Sequence, residues 1–383
     1  MRITIAQGAF LPIPPIQGGA VEKRWFELGK AFARNGHNVF QISKSHPELP
    51  NKEVISGVEH LRVRGYSTPQ SIVHLKLLDL LYSLSVLRIL PDADILISNT
   101  FFLPLLCRNP KKGLLYVDVA RMPKGQIRFY GRAARLRANS SAVAEAIVKE
   151  CPKAQDRVKV IPNPLPFVPD SDSLDSKEKV ILYTGRIHPE KGIDLLLESF
   201  RLFHQQGAGK DWRLEIAGPH ETALGGGGDG YLWRLKELAH GLPIVWHGMV
   251  RETEVLNRLY QRASIFAYPS LAEKGETFGL SVLEAMAWGC VPVVSDLACF
   301  KDFVNDKENG LVFDHRATDR VQKLTDKLNQ LSADPSDMAR MQQVALHVRK
   351  SHALDAIAGL FLEDFRSLPG KDPAATGQVR PGA

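Results

Sequence analysis

Short apolar runs rich in Val, Ile and Leu alternate along this chain with longer segments whose apolar residues recur at helical spacing. That alternation is the pattern of a parallel sheet with crossover helices. Strands are predicted near 2–7, 38–43, 58–64, 93–98, 113–118, 134–139 and 158–161, and a second series near 179–184, 212–218, 244–247, 264–268 and 291–295. Between the series, Pro164 to Lys177 is dense in Pro, Ser and Asp and lacks periodicity, which predicts a linker. Two doubly wound α/β domains follow, over 1–164 and 179–350, joined by a linker over 165–178. Within 351–368, Leu354, Ile357, Leu360, Phe361 and Phe365 recur at helical spacing. This apolar stripe needs a partner, and the helix is expected to cross back onto the first domain. Residues 369–383 are rich in Pro and Gly and predict a disordered tail.

The longest apolar run, Ile72 to Leu90, is interrupted by Lys76, Asp79 and Arg88. It falls short of the roughly 18 to 20 uncharged residues that a membrane span requires and reads as an amphipathic helix. Met1 to Ile5 enters a strand pattern at once, without the features of a secretory signal, so cytoplasmic residence is expected. Cys107, Cys151, Cys290 and Cys299 form no close pair and are expected to be reduced and buried.

Length changes this picture little, since 383 residues suit two domains of ordinary size. Charge changes it more. The net charge of +7 is uneven: residues 1–175 hold 24 Lys and Arg against 15 Asp and Glu, and the remainder holds 25 against 27. A basic first half suits an anionic acceptor or the inner face of an anionic membrane, with Arg121, Lys124, Arg128, Arg132 and Arg135 as candidate contacts. A merely solvated basic face is the competing reading.

Ligands of doubly wound sheets bind where strands end and helices begin, because helix N-termini present N–H groups and a positive dipole end. One such junction is Gly18-Gly19, ahead of a helix starting near Val21. Another is Gly185-Arg186 followed by Lys191-Gly192, after the first strand of the second series. Its Arg and Lys suit a diphosphate, by bidentate and point-charge contacts respectively. A third runs from Glu273 to Gly289: Glu276 lies in a loop, Thr277 is the expected N-cap, and Glu284 falls in an apolar helix where its carboxylate needs a partner. Gly225, Gly227 and Gly230 satisfy G-x-G-x-x-G but follow their strand too distantly for a dinucleotide turn, and read as a flexible loop. The histidines lack metal-ligand spacing.

The stretch around the two glutamates resembles the donor-site signature of the family 4 glycosyltransferases, which are retaining enzymes of the GT-B fold. Phe278-Gly279, Leu283 to Ala287, Gly289, Pro292 to Ser295 and Asn309 to Val312 carry the resemblance, with Gly185-Arg186 and Lys191-Gly192. Val160 to Asn163 resembles the segment that closes the first domain of such enzymes, and Gly18-Gly19 their N-terminal glycine loop. The segment ending in Gly18-Gly19-Ala20 is also similar to bacterial members that build surface or spore-coat polysaccharide.

The resemblance implies two Rossmann-like domains facing a cleft, an acceptor-binding first domain and a nucleotide-sugar-binding second one. It implies transfer of a hexose-type sugar from a UDP- or GDP-sugar to a glycan, lipid-linked or small-molecule acceptor, without metal or other cofactor. It places Arg186 and Lys191 on the diphosphate, Glu284 on the ribose, Glu276 on the sugar and the backbone of Phe278, Gly279 and Leu280 at the diphosphate or sugar. Met249 and Val250 match the base-contacting position. Many relatives carry a histidine where this chain offers Asp118, which stands as an active-site candidate. A nucleotide-sugar epimerase and a non-catalytic sugar-nucleotide-binding protein are the alternatives.

Overall fold

A computed structural model describes residues 1–169, 174 and 177–369. The tail over 370–383 and most of 170–176 lie outside the described residues, and the disorder and linker expectations placed there with them. The chain divides into two compact domains. The first comprises Met1–Asn139, Val143–Pro164 and the segment beginning at Leu354; the second comprises Ser140–Ala142 and Leu165–Ala353.

The first domain is built on eight strands: β1 (Arg2–Ala6), β2 (Asn38–Lys44), β3 (Lys52–Ile55), β4 (Val58–Val63), β5 (Ile95–Ser98), β6 (Leu114–Val119), β7 (Arg135–Ala138) and β8 (Val158–Val160). Their order is β3-β4-β2-β1-β5-β6-β7-β8, parallel except for β3. Ile3, Ile5, Ile95 and Ile97 are fully or almost fully buried, as central parallel strands with both faces covered require. The sequence pattern does not reveal β3. It is a four-residue edge strand turned onto β4 by Ser56 and Gly57, both at positive φ, which is the backbone of a tight hairpin.

The second domain carries β9 (Glu178–Thr184), β10 (Arg213–Ala217), β11 (Ile244–Gly248), β12 (Ala263–Tyr268), β13 (Val291–Ser295) and β14 (Leu311–Phe313). Their order is β11-β10-β9-β12-β13-β14, all parallel. The chain leaves β9 toward β10 on one side and returns to it through β12 on the other, so the order reverses between β9 and β12. β14, three residues long, has no counterpart among the predicted strands.

The closing helix, Leu354–Ser367, packs in the first domain against helix α1 (Ala20–Arg34). Phe361 lies 5.2 Å from the Trp25 ring and Phe365 meets Tyr116 edge-on at 5.0 Å. Tyr116 donates to Asp364 at 2.9 Å, and Arg135 pairs with the same carboxylate at 2.9 Å. Arg135 is therefore a structural cation rather than a free surface contact, unlike the exposed Arg121, Lys124, Arg128 and Arg132.

Helix α2 (Ile72–Ile89) departs from the amphipathic expectation. Tyr82, Ser83 and Val86 face the core, yet Ile72, Val73, Leu77, Leu81 and Leu84 stand in solvent. The helix is apolar on every side, and the sheet covers one side. The cysteines also differ in part: all four are free thiols, but only Cys290 and Cys299 are buried, while Cys107 and Cys151 are half-buried.

Candidate active site

The carboxyl ends of β9 and β12 flank the point where the strand order of the second sheet reverses, the position at which open α/β sheets bind ligands. The loop after β9 carries Gly185, Arg186 and Lys191; the loop after β12 carries Glu276. The two loops are joined by a hydrogen bond from Leu271 N–H to the Glu190 carbonyl, 2.8 Å. Gly192 makes that approach possible: its φ is 67°, and a Cβ there would lie 2.2 Å from the Pro269 carbonyl oxygen.

The junction brings Lys191 Nζ to 2.7 Å from Glu276 Oε2, with the two side chains only 7% and 11% exposed. Tyr268, the last residue of β12, donates its hydroxyl to the same oxygen at 3.0 Å. Its ring stacks on Tyr183 of β9 at 5.6 Å, and the Lys191 ammonium lies 5.5 Å from the Tyr268 ring centroid. Burial, followed by the nearby Glu276 carboxylate, pushes the Tyr268 phenol well above its ordinary range. The phenol stays protonated and acts as a fixed donor.

Arg186 lies at the open side, 42% exposed, with Nη2 2.7 Å from Glu190 Oε1 and Nη1 donating to the Gly225 carbonyl at 2.5 Å. The glycine loop after β10 is thus a packed part of the site. It forms a short turn over Thr222–Leu224 and enters a helix at Gly228. The reading of a merely flexible loop is corrected by that contact, and the dinucleotide turn is absent. The exits of β9, β10 and β11 adjoin, through Gly185 N–H to the Ala217 carbonyl at 3.0 Å and Gly218 N–H to the Gly248 carbonyl at 2.7 Å. Met249, exposed, and Val250, half-buried, follow β11 at this same edge.

The helix carrying Glu284 spans Leu280–Ala287 and is capped by Gly279, not Thr277. Gly279 adopts φ 84°, and a Cβ there would lie 2.3 Å from the Phe300 ring, so a side chain is excluded twice over. Phe278 is buried ahead of it. Glu284 is half-buried rather than enclosed, on the helix face it shares with Leu280 and Ser281. Tyr260 donates to its Oε2 at 3.1 Å, and the Tyr260 hydroxyl lies 2.6 Å from Thr184 Oγ1. Tyr183, Tyr260 and Tyr268, which hold these carboxylates and loops, were not singled out from the sequence. For Tyr183 and Tyr268 the available signal was an aromatic residue at the end of a predicted strand, directly before Thr-Gly-Arg or Pro-Ser; Tyr260 lies within the helix over Thr253–Arg262 and had no such signal.

Gly18, Gly19 and Asp118 lie in the first domain. Gly18 and Gly19 both take positive φ, and Gly19 caps α1. Asp118, expected at the active site, lies in β6 between two buried arginines. Its carboxylate is fully enclosed, paired with Arg24, with Arg137 at 2.8 Å and with the Trp25 indole N–H at 2.9 Å. Burial opposes its charge, but the two guanidiniums overcome that and hold the carboxyl below its ordinary range. Asn163, in the segment that ends the first domain, accepts from Arg24 at 2.7 Å and Arg137 at 2.9 Å. The cluster ties α1, β6, β7 and the domain exit together.

Two Rossmann-like α/β domains give this chain the GT-B fold of its structural neighbours. Residues 167–347, within the second domain, match the family model "Glycosyl transferases group 1". Among relatives, "Glycogen synthase 2" of Methylococcus capsulatus is 30% identical over 142 residues, 37% of this chain and 26% of that protein. An uncharacterized glycosyltransferase of Methanocaldococcus jannaschii is 26% identical over 339 residues, 78% of this chain and 82% of that one. A D-inositol 3-phosphate glycosyltransferase of Paenarthrobacter aurescens is 26% identical over 257 residues, 64% and 60%. The chain therefore spans about a quarter to three-fifths of the length of two of these three relatives.

Solved structures share the fold across both domains. Sucrose-phosphate synthase from Thermosynechococcus elongatus superposes with a TM-score of 0.75 at 19% identity, over 96% of this chain and 99% of that one. HepE of Anabaena in complex with UDP-glucose gives 0.70 at 17%, over 96% and 100%.

Proposed function

We propose that the protein is a retaining, metal-independent glycosyltransferase that moves a hexose-type sugar from a UDP- or GDP-sugar to a glycan, lipid-linked or small-molecule acceptor. The observation that carries this reading is the Lys191–Glu276–Tyr268 cluster at the β9/β12 switch point of a group 1 glycosyltransferase domain. The UDP-glucose bound by a protein of the same fold supports a nucleotide-sugar donor.

In this reading Arg186 and Lys191 bind the donor diphosphate, with backbone N–H groups at Phe278, Gly279 and Leu280. Departure of the nucleoside diphosphate builds negative charge on the leaving oxygen. Two cations and a helix N-terminus stabilise that charge more than the ground state, so no metal is required. Glu276, fixed by Lys191 and Tyr268, holds the sugar; Glu284, fixed by Tyr260, holds the ribose hydroxyls; Met249 and Val250 face the base. The departing phosphate takes the acceptor proton, and neither glutamate becomes a covalent nucleophile. Arg121, Lys124, Arg128 and Arg132, all exposed, support an anionic acceptor on the first domain.

Arg186→Ala and Lys191→Ala each remove a charge-assisted contact worth roughly 1.5 to 3 kcal/mol, so each is expected to lower acceptor-dependent turnover more than tenfold; the exposed Arg186→Ala should keep the melting temperature, whereas Lys191→Ala, which leaves the buried Glu276 without its cation, should lower it with the fold kept. Thermal shift against UDP, GDP and ADP identifies the base, since a ligand of the folded state raises stability by mass action. NMR of the first-formed product should show the donor's anomeric configuration. Full activity in either variant removes the diphosphate site, an inverted centre removes the mechanism, and conversion of donor without acceptor indicates an epimerase instead.

A further inference from the structure

We propose that α2 and the turn around Phe129 form a docking face of the first domain for the surface of an anionic phospholipid bilayer. The inference rests on exposed side chains of one domain and is independent of the transfer reaction.

Val73, Leu77, Leu81 and Leu84 follow one another at spacings of four, four and three along α2, which places them side by side on its outer face, and Ile72 stands exposed at the first residue of the helix. They are between 39% and 76% exposed. Isolated exposed apolar residues need no explanation; a row of four along one helix marks an interaction surface. The helix is held against the sheet through Tyr82 and Val86, and no helix among the described residues is long and apolar enough to cross a membrane. An apolar face fixed in this way can lie in an interface but cannot span it.

A second exposed apolar residue, Phe129, belongs to a turn linked to the inward side of α2. Asp79 of α2 accepts the backbone N–H groups of Phe101 and Phe102 at 3.1 and 2.9 Å. Tyr130 donates to the Phe101 carbonyl at 3.2 Å, and directly before it Phe129 is 60% exposed.

Charge decides between possible occupants. Lys76 and Arg88 lie exposed on α2, and Lys124 and Arg128 are exposed beside Phe129. The only carboxylate of α2, Asp79, is turned inward onto Phe101 and Phe102. A two-fold contact with a second copy would set these cations against their own images, whereas an anionic lipid surface attracts them while the leucines enter the headgroup–acyl boundary.

Flotation of the full chain with vesicles of phosphatidylcholine alone, or of phosphatidylcholine mixed with phosphatidylglycerol, tests the proposal. The protein should float with the mixed vesicles at low salt, less at high salt and far less with phosphatidylcholine alone. Leu77→Asp/Leu81→Asp should abolish flotation with an unchanged melting temperature, and Arg128→Glu should weaken it by about fivefold or more at low salt. Should the double variant lose its melting transition, Val73→Gln at the exposed start of the helix carries the same test. Flotation retained by a folded variant of the leucine row, equal flotation with neutral vesicles, or no flotation at all would overturn the proposal. So would light scattering that shows a wild-type dimer which Leu77→Asp/Leu81→Asp converts to monomer.

Discussion

Glu276 receives two donors on one oxygen, the Lys191 ammonium and the Tyr268 hydroxyl, and so cannot rotate without breaking both. Tyr268→Phe keeps the ring stack on Tyr183 and removes one of those donors. Hydrogen bonds to charged groups contribute about 1.5 to 3 kcal/mol, so turnover should fall about tenfold or more while stability stays near wild type; an unchanged turnover would show that Lys191 alone positions the carboxylate. Asp118 carries the opposite expectation. Asp118→Asn leaves the guanidiniums of Arg24 and Arg137 buried with no counter-charge, a change that costs about 3 to 5 kcal/mol in urea unfolding. Loss of activity with wild-type stability would return Asp118 to the reaction. Two buried histidines set an acid limit. Burial holds His60 and His352 neutral, with pKa values pulled down to about 4 from 6.5. Between those values the unfolded chain binds more protons than the folded one, so stability falls as pH drops from 6.5 toward 4. Asp79, lifted to about 6 by burial, works the other way between 6 and 3.8, where the folded state takes up the proton first. A melting temperature that drops from pH 6.5 to 4.5, and drops less in His60→Gln/His352→Gln, is the expected result.

At the scale of elements, the closing helix is the most consequential piece of the first domain although it comes last in the chain. Phe361 is in ring contact with Trp25, Phe32, Tyr116 and Phe365, and its side chain is fully enclosed. Phe361→Ala should therefore cost about 3 to 5 kcal/mol, the range for an aromatic deleted from a core, as measured by chemical denaturation. A chain stopped after Ala353 would leave Trp25, Phe32 and Tyr116 without their cover; increased binding of a hydrophobic dye and loss of the first domain's cooperative unfolding are expected. Wild-type unfolding of that truncation would contradict the packing. Helix α2 differs in kind. Its periodic apolar residues fill both its faces, and a pattern of that sort cannot tell a helix enclosed by protein from one that keeps a face for something else.

For the whole molecule, the first domain is closed by chain from both ends of the sequence, so its stability depends on residues more than 350 positions from its first strand. The excess of basic residues in the first half also divides on inspection. Arg24, Arg135 and Arg137 are consumed inside the fold, and Arg121, Lys124, Arg128 and Arg132 remain outside. The two series of parallel strands were legible in the sequence because a central strand must be apolar on both faces, and the residues of the Gly185 and Glu276 junctions because a strand's exit into a helix has a local signature. β3 and β14 were not picked out. The Gly279 cap was hidden because the crowding that excludes a side chain there comes from the Phe300 ring, 21 residues away. The sequence by itself placed Arg186 and Lys191 at a strand exit where their charges suit a diphosphate, because charge belongs to the residue, and it left Glu276 on the sugar as what the family resemblance implies. Only the tertiary structure decided that Lys191 meets Glu276, that Tyr183, Tyr260 and Tyr268 support the site, and that Asp118 is spent on two buried arginines, because those outcomes depend on which strands become neighbours and on what is left in water.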